Sequence, residues 1–386
     1  MQAMKIGFDY IATVSKGGNG VYSHNLIETV LNSDRQNKYY LYAYAHDFFL
    51  GRLKKHKKQK NVRFRPVYFS TLGIKFLAPA VRLINLASYK FWVKFDKVDI
   101  FHFTNPAYFA RGAKKTVITI HDLSGLHDST WTKKESAEFL RKSVKKMIDD
   151  SVGIIAVSNY TSYDLAKNFP SSEAKTSVVY EGCAKSYYVD EDRRYIGDKF
   201  KLKDYILYVG QLQPRKNIVN MLAAYAKLPA ELKGKYNLAI VGGARRNYLE
   251  TVRQTIDFHK LSPYVKVLGR LPDADIRKLY STARAFVFLS YFEGFGLPVL
   301  EALKCGTPVI VSNRSSLPEV AGNAGVLVGP DNLDEIAVAM EKIMTDENFY
   351  GELKSRCQNQ AEKFSWKKAA AETQAKYKKV FSQFQK

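Results

Sequence analysis

The amino-acid sequence predicts an α/β protein of two domains, each a parallel β-sheet covered by helices. Strand-like apolar runs alternate with helical stretches from KIGFDYIA to SVVYEG, and the alternation restarts at YILYVG and continues to GVLVG. This pattern is typical of parallel sheets, because their strands are joined by crossover helices. The length of 386 residues exceeds what one hydrophobic core usually supports, and 46% hydrophobic residues suit two buried cores.

An irregular, charged stretch from Asp190 to Lys203 separates the two series and predicts a connection near residues 185–203. We therefore expect an N-terminal domain over residues 1–190 and a C-terminal domain over residues 200–365. The tail SWKKAAAETQAKYKKVFSQF has helical composition. Its pattern suits packing on either domain. In our domain assignment a helix over about residues 366–386 packs back on the N-terminal domain.

Cysteine usage and hydropathy predict a cytoplasmic protein. Cys183, Cys305 and Cys357 are odd in number and far apart, without disulfide-framework or zinc-ligand spacing. The N-terminus lacks the charged-then-apolar order of a signal peptide. The longest apolar stretch, FLAPAVRLINLA, contains Arg82 and is too short to span a bilayer.

The formal net charge of +23 makes polyanions and anionic membranes candidate partners. The stretch from Gly51 to Phe95 has no Asp or Glu and mixes its basic residues with apolar ones, as interfacial segments do. It predicts docking of the N-terminal domain on an anionic surface, the inner face of a membrane. The alternative is a solvated basic face whose apolar residues fill the domain core. The basic residues of the stretch are Arg52, Lys54, Lys55, Lys57, Lys58, Lys60, Arg63, Arg65, Lys75, Arg82, Lys90 and Lys94, and a second basic patch comprises Lys133, Lys134, Arg141, Lys142, Lys145 and Lys146.

Two glutamates lie in the loop and helix that follow the strand-like run AFVFLS. Glu293 is in a glycine-rich loop, and Glu301 comes eight residues later, about one turn into the following helix. Ligands of parallel sheets bind beyond the carboxyl ends of strands, so both carboxylates can lie along one ligand and contact its hydroxyls. Gly294 and Gly296 permit close backbone approach, and the helix start favours phosphate. The alternative is a tight turn with a solvated Glu301, but this composition, with an exposed Phe295, favours a ligand.

The stretch EGFGLPVLEA resembles the E-x7-E motif of glycosyltransferase family 4, the retaining enzymes with the GT-B fold. The resemblance extends over nearly the whole chain, in the order GGNGVYSHNL, VITIHDL, IIAVSNYTSYDL, YVGQLQPRKN, AIVGG and VIVSNRSSLPEVAG. It implies two Rossmann-like domains facing across a cleft. Glu293 would contact the donor sugar and Glu301 the ribose hydroxyls, with Gly294, Phe295, Gly296 and Leu297 beside the donor.

The motif YVGQLQPRKN places Arg215 and Lys216 just past a strand end, where two cations can neutralise a departing diphosphate. The resemblance identifies them as the phosphate-binding pair, with Gly210 as a donor-binding residue. Many relatives have an arginine where Gln211 stands, so this chain has one cation fewer there.

His121 ends the strand of TVITIHDLSGL and matches the family histidine that reaches the donor sugar from the N-terminal domain. We expect Asp122 to orient the loop and His102 to be structural or exposed. The GGNG string does not fit G-x-G-x-x-G and by itself is weak evidence for nucleotide binding. The resemblance puts Gly18 and Gly20 beside the donor phosphates, with a helix starting just after Gly20.

The string SNRSSLPE predicts a short helix with Ser315 or Ser316 as its N-cap. It is also similar to family members that use GDP-mannose. The resemblance thus implies retaining transfer of a hexosyl group, with GDP-mannose favoured, to a glycan or lipid-linked acceptor in cell-surface polysaccharide or glycolipid synthesis. His121, Glu293, Arg215 and Lys216 would be catalytic, and no metal or other cofactor is expected, since the sequence has no cluster of His and Cys residues.

Three other functions compete. A dehydrogenase would need G-x-G-x-x-G and a downstream acidic residue, which are missing. A sugar-nucleotide epimerase of the same overall fold would not carry the E-x7-E signature. A polyanion-binding protein suits the charge, and NVRFRPVYF could stack on single-stranded nucleic acid, but paired glutamates at a helix start make nucleic acid an unlikely partner.

Overall fold

A computed structural model describes residues 3–15, 17–44, 56, 59–68, 78–109, 115–127, 134–244 and 248–383. The chain divides into two compact units. The first combines Met1–Glu181 with Trp366–Lys386, and the second is Gly182–Ser365.

The first unit contains a seven-stranded, all-parallel sheet in the order β3-β2-β1-β4-β5-β6-β7. Tyr42, Phe101 and Phe103 are fully buried in its core and touch edge to face or at a tilt. The strands are β1 Lys5–Phe8, β2 Lys38–Tyr44, β3 Val62–Tyr68, β4 Ile100–Phe103, β5 Thr116–Ile120, β6 Gly153–Ala156 and β7 Thr176–Val178. The first four helices are α1 Gly18–Ser33, α2 Ala78–Asp96, α3 Lys134–Asp149 and α4 Asn159–Asn168, with 3-10 turns at Tyr10–Val14, Pro106–Tyr108, Ser124–Leu126 and Pro170–Lys175.

The second unit contains a six-stranded parallel sheet in the order β10-β9-β8-β11-β12-β13. Its strands are β8 Asp204–Val209, β9 Tyr236–Val241, β10 Val265–Gly269, β11 Ala285–Phe288, β12 Val309–Ser312 and β13 Gly325–Val328. The helices are α5 Arg193–Phe200, α6 Ile218–Ala226, α7 Ala230–Lys235, α8 Tyr248–Phe258, α9 Asp273–Thr282, α10 Leu297–Lys304, α11 Leu317–Ala321, α12 Leu333–Thr345 and α13 Glu347–Glu362, with 3-10 turns at Pro214–Lys216 and Gly322–Ala324.

The last helix, α14 Trp366–Ser382, belongs to the first unit. Tyr377 on this helix is fully buried, and its hydroxyl lies 2.5 Å from His102 Nδ1 at the end of β4. Lys376 donates to the carbonyl of Lys175 at 2.6 Å. These polar contacts fix the rotation of α14 on the sheet, because a buried donor without a partner would be costly.

The stretch predicted to be an irregular connection contains the helix α5, which is a correction to the sequence analysis. Asp192 caps it by accepting a hydrogen bond from the N–H of Tyr195 at 3.0 Å. Only Ile196 of α5 is buried, so hydrophobic periodicity could not indicate this helix. Tertiary contacts stabilise it instead, since Lys199 pairs with Asp275 at 2.8 Å.

The prediction of two parallel-sheet α/β units is confirmed. In each sheet the strand order reverses once, between β1 and β4 in the first unit and between β8 and β11 in the second. We call these positions the switch points. The carboxyl edge of an open α/β sheet at such a switch point is the usual position of a ligand.

Candidate active site

At the switch point of the second unit, the loop after β8 meets the loop after β11. Lys216 ends the turn Pro214–Lys216, and its Nζ lies 2.5 Å from Glu293 Oε1. Arg215 Nη1 lies 3.4 Å from Glu293 Oε2. The backbone joins the loops as well, because the N–H of Tyr291 donates to the carbonyl of Arg215 at 3.0 Å. The structure therefore brings three of the predicted catalytic residues into direct contact.

The electrostatics of this cluster follow from its burial and its excess of positive charge. Burial alone would raise the pKa of Glu293, but the charges of Lys216 and Arg215 lower it to about 2. Glu293 is therefore ionised at neutral pH. The buried Lys216 and the half-buried Arg215 share one carboxylate, so the cluster keeps a net positive charge that suits an anionic ligand.

Serine hydroxyls hold the loop that carries Glu293. Ser315 Oγ accepts the backbone N–H of Glu293 at 3.0 Å. Ser316 Oγ donates to the carbonyls of Glu293 and Phe295 at 3.0 and 2.8 Å. Ser316 is the N-cap residue of α11, as predicted, but its side chain makes no cap bond, because both serine hydroxyls bond to the Glu293 loop.

The expectation of an exposed Phe295 is also wrong. Its side chain is only 3% exposed and packs edge to face on Phe364, with ring centroids 5.5 Å apart. Gly296 has φ 105°, which a residue with a side chain rarely adopts, and it immediately precedes Leu297, the first residue of α10. Gly294 lies in the same loop, so the predicted residues of this loop share one site.

The second glutamate, Glu301, has a different environment. It is half-buried on α10 and accepts a hydrogen bond from the hydroxyl of Tyr280 at 3.3 Å. Burial and then the charge of Asp273 raise its pKa to about 8. Most of Glu301 is therefore protonated at pH 7, whereas Glu293 is ionised.

Gly210 follows β8 at a point where two backbones converge. A Cβ on Gly242 would lie 1.8 Å from the carbonyl oxygen of Gly210, and Gly242 has φ 145°. The ends of β8 and β9 can approach this closely only with glycine there. Donor binding by Gly210 stays a prediction.

In the first unit, His121 follows β5 and has a partner for each ring nitrogen. Nε2 lies 2.9 Å from the carbonyl of Thr104, and Nδ1 lies 3.6 Å from Glu181 Oε1. A carbonyl only accepts, so Nε2 carries the proton. The ring also meets the edge of Tyr22 at a centroid distance of 4.7 Å.

Sequence reasoning missed two carboxylates at this edge. Asp9 follows β1, is fully buried, and accepts hydrogen bonds from Thr104 N and Oγ1 and from Asn105 N. Burial raises the pKa of Asp9 to about 7 and also raises the pKa of Glu181. The available signal was position: Asp9 ends KIGFD directly after a strand, as Glu181 ends SVVYE.

The glycine-rich string forms the start of α1 rather than a turn before it. The helix begins at Gly18, so the predicted start just after Gly20 is wrong. A Cβ on Gly20 would lie 1.8 Å from the carbonyl oxygen of Ser15, so glycine is required in this first helical turn. Nothing in the structure tests whether Gly18 and Gly20 contact phosphates.

The remaining histidine and aspartate assignments agree with the sequence analysis. His102 is fully buried and lies 2.8 Å from Thr119 Oγ1, and burial lowers its pKa to about 3. Asp122 accepts from the N–H and hydroxyl of Ser124 and so orients its loop. No grouping of three or more His, Cys, Asp or Glu that could hold a metal occurs among the residues that the structure describes.

Much of the basic stretch from Gly51 to Phe95 lies outside the described residues, including 51–55, 57, 58 and 69–77. Lys133 and the side chain of Lys134 also lie outside them. Within the stretch, α2 exposes 59% of Phe91 and 64% of Phe95, whereas Tyr89 and Val93 are buried. One side of α2 therefore fills the core and another faces solvent, and docking on a membrane stays a prediction. None of the helices in the described part of the chain combines the length and apolar character needed to cross a bilayer.

Comparisons with known proteins agree with this architecture. The family described as Glycosyltransferase Family 4 matches residues 17–185, and that described as Glycosyl transferases group 1 matches residues 190–364. O-antigen chain mannosyltransferase B of Escherichia coli is 32% identical over 308 residues, 78% of this chain and 80% of that protein. The serotype-specific mannosyltransferase WbdA of E. coli is 39% identical over 197 residues, 50% of this chain but 24% of that protein.

Among solved structures, Anabaena HepE in complex with UDP and glucose superposes with a TM-score of 0.74. The match covers 97% of this chain and 99% of HepE at 19% sequence identity, which shows a common fold. The two Rossmann-like parallel-sheet units are those of the GT-B fold, and the chain belongs to glycosyltransferase family 4.

Proposed function

We propose that this glycosyltransferase transfers a mannosyl group from GDP-mannose, with retention of configuration, to a glycan or lipid-linked acceptor in cell-surface polysaccharide or glycolipid synthesis. The observation that carries the proposal is the contact of Lys216 and Arg215 with Glu293 at the second switch point. Two relatives named as mannosyltransferases support the sugar, and their O-antigen and serotype names support the polysaccharide. The UDP complex of HepE supports a nucleotide-activated donor.

The donor groups follow from the charges of the cluster. Lys216 and Arg215 bind the diphosphate, since their combined charge exceeds that of Glu293. When the diphosphate also binds Lys216 and Arg215, lone pairs of the Glu293 carboxylate become available to accept hydrogen bonds from the sugar hydroxyls. Glu301 binds the ribose hydroxyls, and the glycines beside Leu297 and Gly210 admit the donor to the backbone.

The cluster favours a front-face reaction. As the glycosidic bond breaks, the electron pair goes to the diphosphate oxygen, and that oxygen takes the proton of the acceptor hydroxyl. Lys216 and Arg215 stabilise the growing negative charge more in the transition state than in the ground state. A carboxylate held ionised by two cations, as Glu293 is, makes a weak nucleophile, so a covalent sugar intermediate is disfavoured. With two cations on the diphosphate, no metal is required.

His121 is proposed to contact the donor sugar. Both ring nitrogens already face groups of the first unit, so contact with the sugar requires one nitrogen to replace its present partner with the sugar. The separation of 3.6 Å from Glu181 is longer than a normal hydrogen bond, which makes Nδ1 the nitrogen that exchanges more readily.

A donor screen tests this function. The unfolding temperature of purified protein is measured with GDP-mannose, with UDP-glucose and with buffer alone. In separate, unheated samples, GDP release is followed with and without EDTA. We expect GDP-mannose alone to raise the unfolding temperature, because ligand at 100 times its dissociation constant adds about 2.7 kcal/mol. Release should persist in EDTA, and NMR of the product should show the donor's anomeric configuration. Stabilisation by UDP-glucose only, or an inverted product, contradicts the proposal.

We further propose that α2 docks the enzyme on the anionic, cytoplasmic face of a membrane. Its solvent-facing side exposes 69% of Leu83 and 53% of Ile84 together with Phe91 and Phe95, whose rings stack at 5.8 Å. Exposed Lys90 and Lys94 flank these rings. Shallow burial of the rings would add to charge attraction, at about 1 kcal/mol per lysine near an anionic surface. The net charge of +23 complements such a surface.

Vesicle co-sedimentation tests the docking of α2. Wild-type protein should pellet with anionic vesicles at low salt, less at high salt, and hardly with neutral vesicles. The double variant Phe91→Ser/Phe95→Ser should lose most of this binding. Phe258→Ser is the matched control, because Phe258 is 81% exposed on α8 of the other unit. Equal recovery on both vesicle types, or an equal loss in the control, contradicts the proposal.

A further inference from the structure

Two serines between β12 and α11 form hydrogen bonds to the Glu293 loop that no sequence motif predicts. The peptide groups on both sides of the Glu293 Cα are held by side chains: its N–H donates to Ser315 Oγ at 3.0 Å, and its carbonyl accepts from Ser316 Oγ at 3.0 Å. Ser316 shares its single proton with the carbonyl of Phe295 at 2.8 Å. This loop has no helix or strand to fix it, so these hydroxyls take the place of a regular hydrogen-bond ladder.

The backbone at Ser315 indicates that this contact is enforced. Ser315 has φ 53°, in the left-handed region that residues with a Cβ occupy at a cost of about 1–2 kcal/mol. Ser316 is fully buried, and its hydroxyl makes no bond to α11. A tight turn alone would be better served by glycine at position 315, so the hydroxyl of Ser315 offsets the strain.

We propose that Ser315 and Ser316 are positioning residues of the transfer reaction, whose hydroxyls fix the backbone of Glu293 and so set its carboxylate against Lys216 and Arg215. The proposal rests on the proposed function, in which Glu293 contacts the donor sugar. The serines contact the backbone of the loop rather than the substrate. They act by fixing the direction in which the Glu293 side chain points from that backbone. A shift of the loop would weaken the ion pairs, since Lys216 Nζ lies only 2.5 Å from Glu293.

The variant Ser315→Gly separates positioning from stability. Glycine relieves the positive φ and removes the hydroxyl, so the unfolding temperature should stay equal or rise. Turnover of GDP-mannose should nevertheless fall about tenfold, the equivalent of one hydrogen bond. The fall should lie in kcat rather than KM. The acid limb of kcat/KM should move to higher pH, because the pKa of Glu293 rises when its cations are less closely held.

Two further variants complete the test. Ser316→Ala should lower kcat to a similar extent, whereas Ser281→Ala should not change it. Ser281 is a matched control, since its buried hydroxyl also bonds to backbone, at Arg277 and Asp190, but does not touch the Glu293 loop. The proposal is overturned if Ser315→Gly keeps wild-type kcat and acid limb, or if Ser281→Ala lowers kcat equally.

Glu293→Gln separates failure of this proposal from failure of the proposed function. A strong loss of turnover in Glu293→Gln, together with a wild-type Ser315→Gly, overturns only the role of the serines. Wild-type turnover in Glu293→Gln overturns the donor-site assignment, and the positioning role with it.

Discussion

At the switch point of the second unit the carboxylate of Glu293 lies against two cations, whereas at the switch point of the first unit the carboxylate of Asp9 accepts only from N–H and O–H groups. Both groups are buried beyond the carboxyl end of a central strand, Asp9 immediately after β1 and Glu293 in the loop after β11. Their pKa values move in opposite directions. Burial raises that of Asp9 to about 7, while the charges of Lys216 and Arg215 overcome burial and lower that of Glu293 to about 2.

The two sheets share the same strand order around their switch points, so the contrast lies in the loops that follow the central strands. In the proposed function the cations of the second unit bind the diphosphate, and the ion pairs with Glu293 hold them in position. Among the described residues, the hydrogen-bond partners of the Asp9 carboxylate belong to Thr104 and Asn105, and neither is a cation.

The largest effect is expected from removing a cation of the second switch point. Lys216→Ala should lower turnover by about 100- to 1000-fold, since one preorganised group that stabilises developing charge is worth about 3–4 kcal/mol. It also leaves Glu293 with Arg215 alone. The measurement is kcat for GDP release from purified variant whose circular dichroism matches wild type.

A double-variant cycle checks the origin of that loss. Lys216→Ala/Glu293→Gln should lose less than the sum of the two single variants, because the two side chains are in contact. Near wild-type turnover in folded Lys216→Ala would remove the second switch point as the phosphate site.

The next effect concerns stability at the first switch point. Because the folded pKa of Asp9 is raised from 3.8 to about 7, its contribution to stability is fully present below pH 3.8 and is lost as the pH rises through 7. Between pH 5 and 7 the free energy of unfolding should fall by about 2 kcal/mol on this account. Asp9→Asn has no proton to lose, so its destabilisation relative to wild type should shrink over this range.

Urea unfolding of wild type and Asp9→Asn at pH 5 and pH 7 gives that difference, in which other titrating groups cancel. A difference that stays constant would mean that Asp9 is ionised throughout, with its three hydrogen bonds outweighing burial. The contrast between the two switch points would then lie in their cations alone.

A third, smaller effect is expected from Glu301. If the ribose hydroxyls bind its ionised carboxylate, then a pKa of about 8 means that Glu301 is ionised in roughly a tenth of the free enzyme at pH 7. Affinity for GDP-mannose should rise about tenfold from pH 7 to pH 8.5. Calorimetric titration at both pH values measures it, and Glu301→Gln should bind with no such dependence. A wild-type affinity that does not change with pH would contradict the ribose assignment.

The fold could be predicted from sequence because its strands are buried on both faces and appear as continuous apolar runs. YILYVG and NLAIVGG contain β8 and β9. The helix α5 could not be predicted, since RRYIGDKF buries one side chain and depends on ion pairs such as Lys199 to Asp275. The start of α1 was misplaced because glycines are poor helix formers, whereas packing on Ser15 requires one.

The residues of the candidate site could be predicted individually but not as a cluster. Position after a strand and a matching motif singled out Glu293 and Lys216, yet they are 77 residues apart, and their contact depends on the strand order. The bonds of the Ser315 and Ser316 hydroxyls and the burial of Phe295 could not be predicted, for the same reason. A serine before a helix is usually a cap and a loop phenylalanine is often exposed, and only tertiary neighbours decide otherwise.

The smallest effect is expected from the carboxylate of Glu181 in the first unit, which is compared with Glu293 through the same substitution. Glu293→Gln and Glu181→Gln each remove a buried charge with little change of shape. Glu293→Gln should cost about 2–4 kcal/mol of transition-state stabilisation, because it breaks two ion pairs. Glu181→Gln should lower kcat less than fivefold, since its carboxylate lies 3.6 Å from His121 and an amide can still face that nitrogen. Steady-state kinetics with GDP-mannose at pH 7.5 measures both, and Glu181→Ala controls for lost packing. Equal damage from the two glutamine variants would mean that the carboxylate of Glu181 takes part in transfer, and the first switch point would then work through charge like the second.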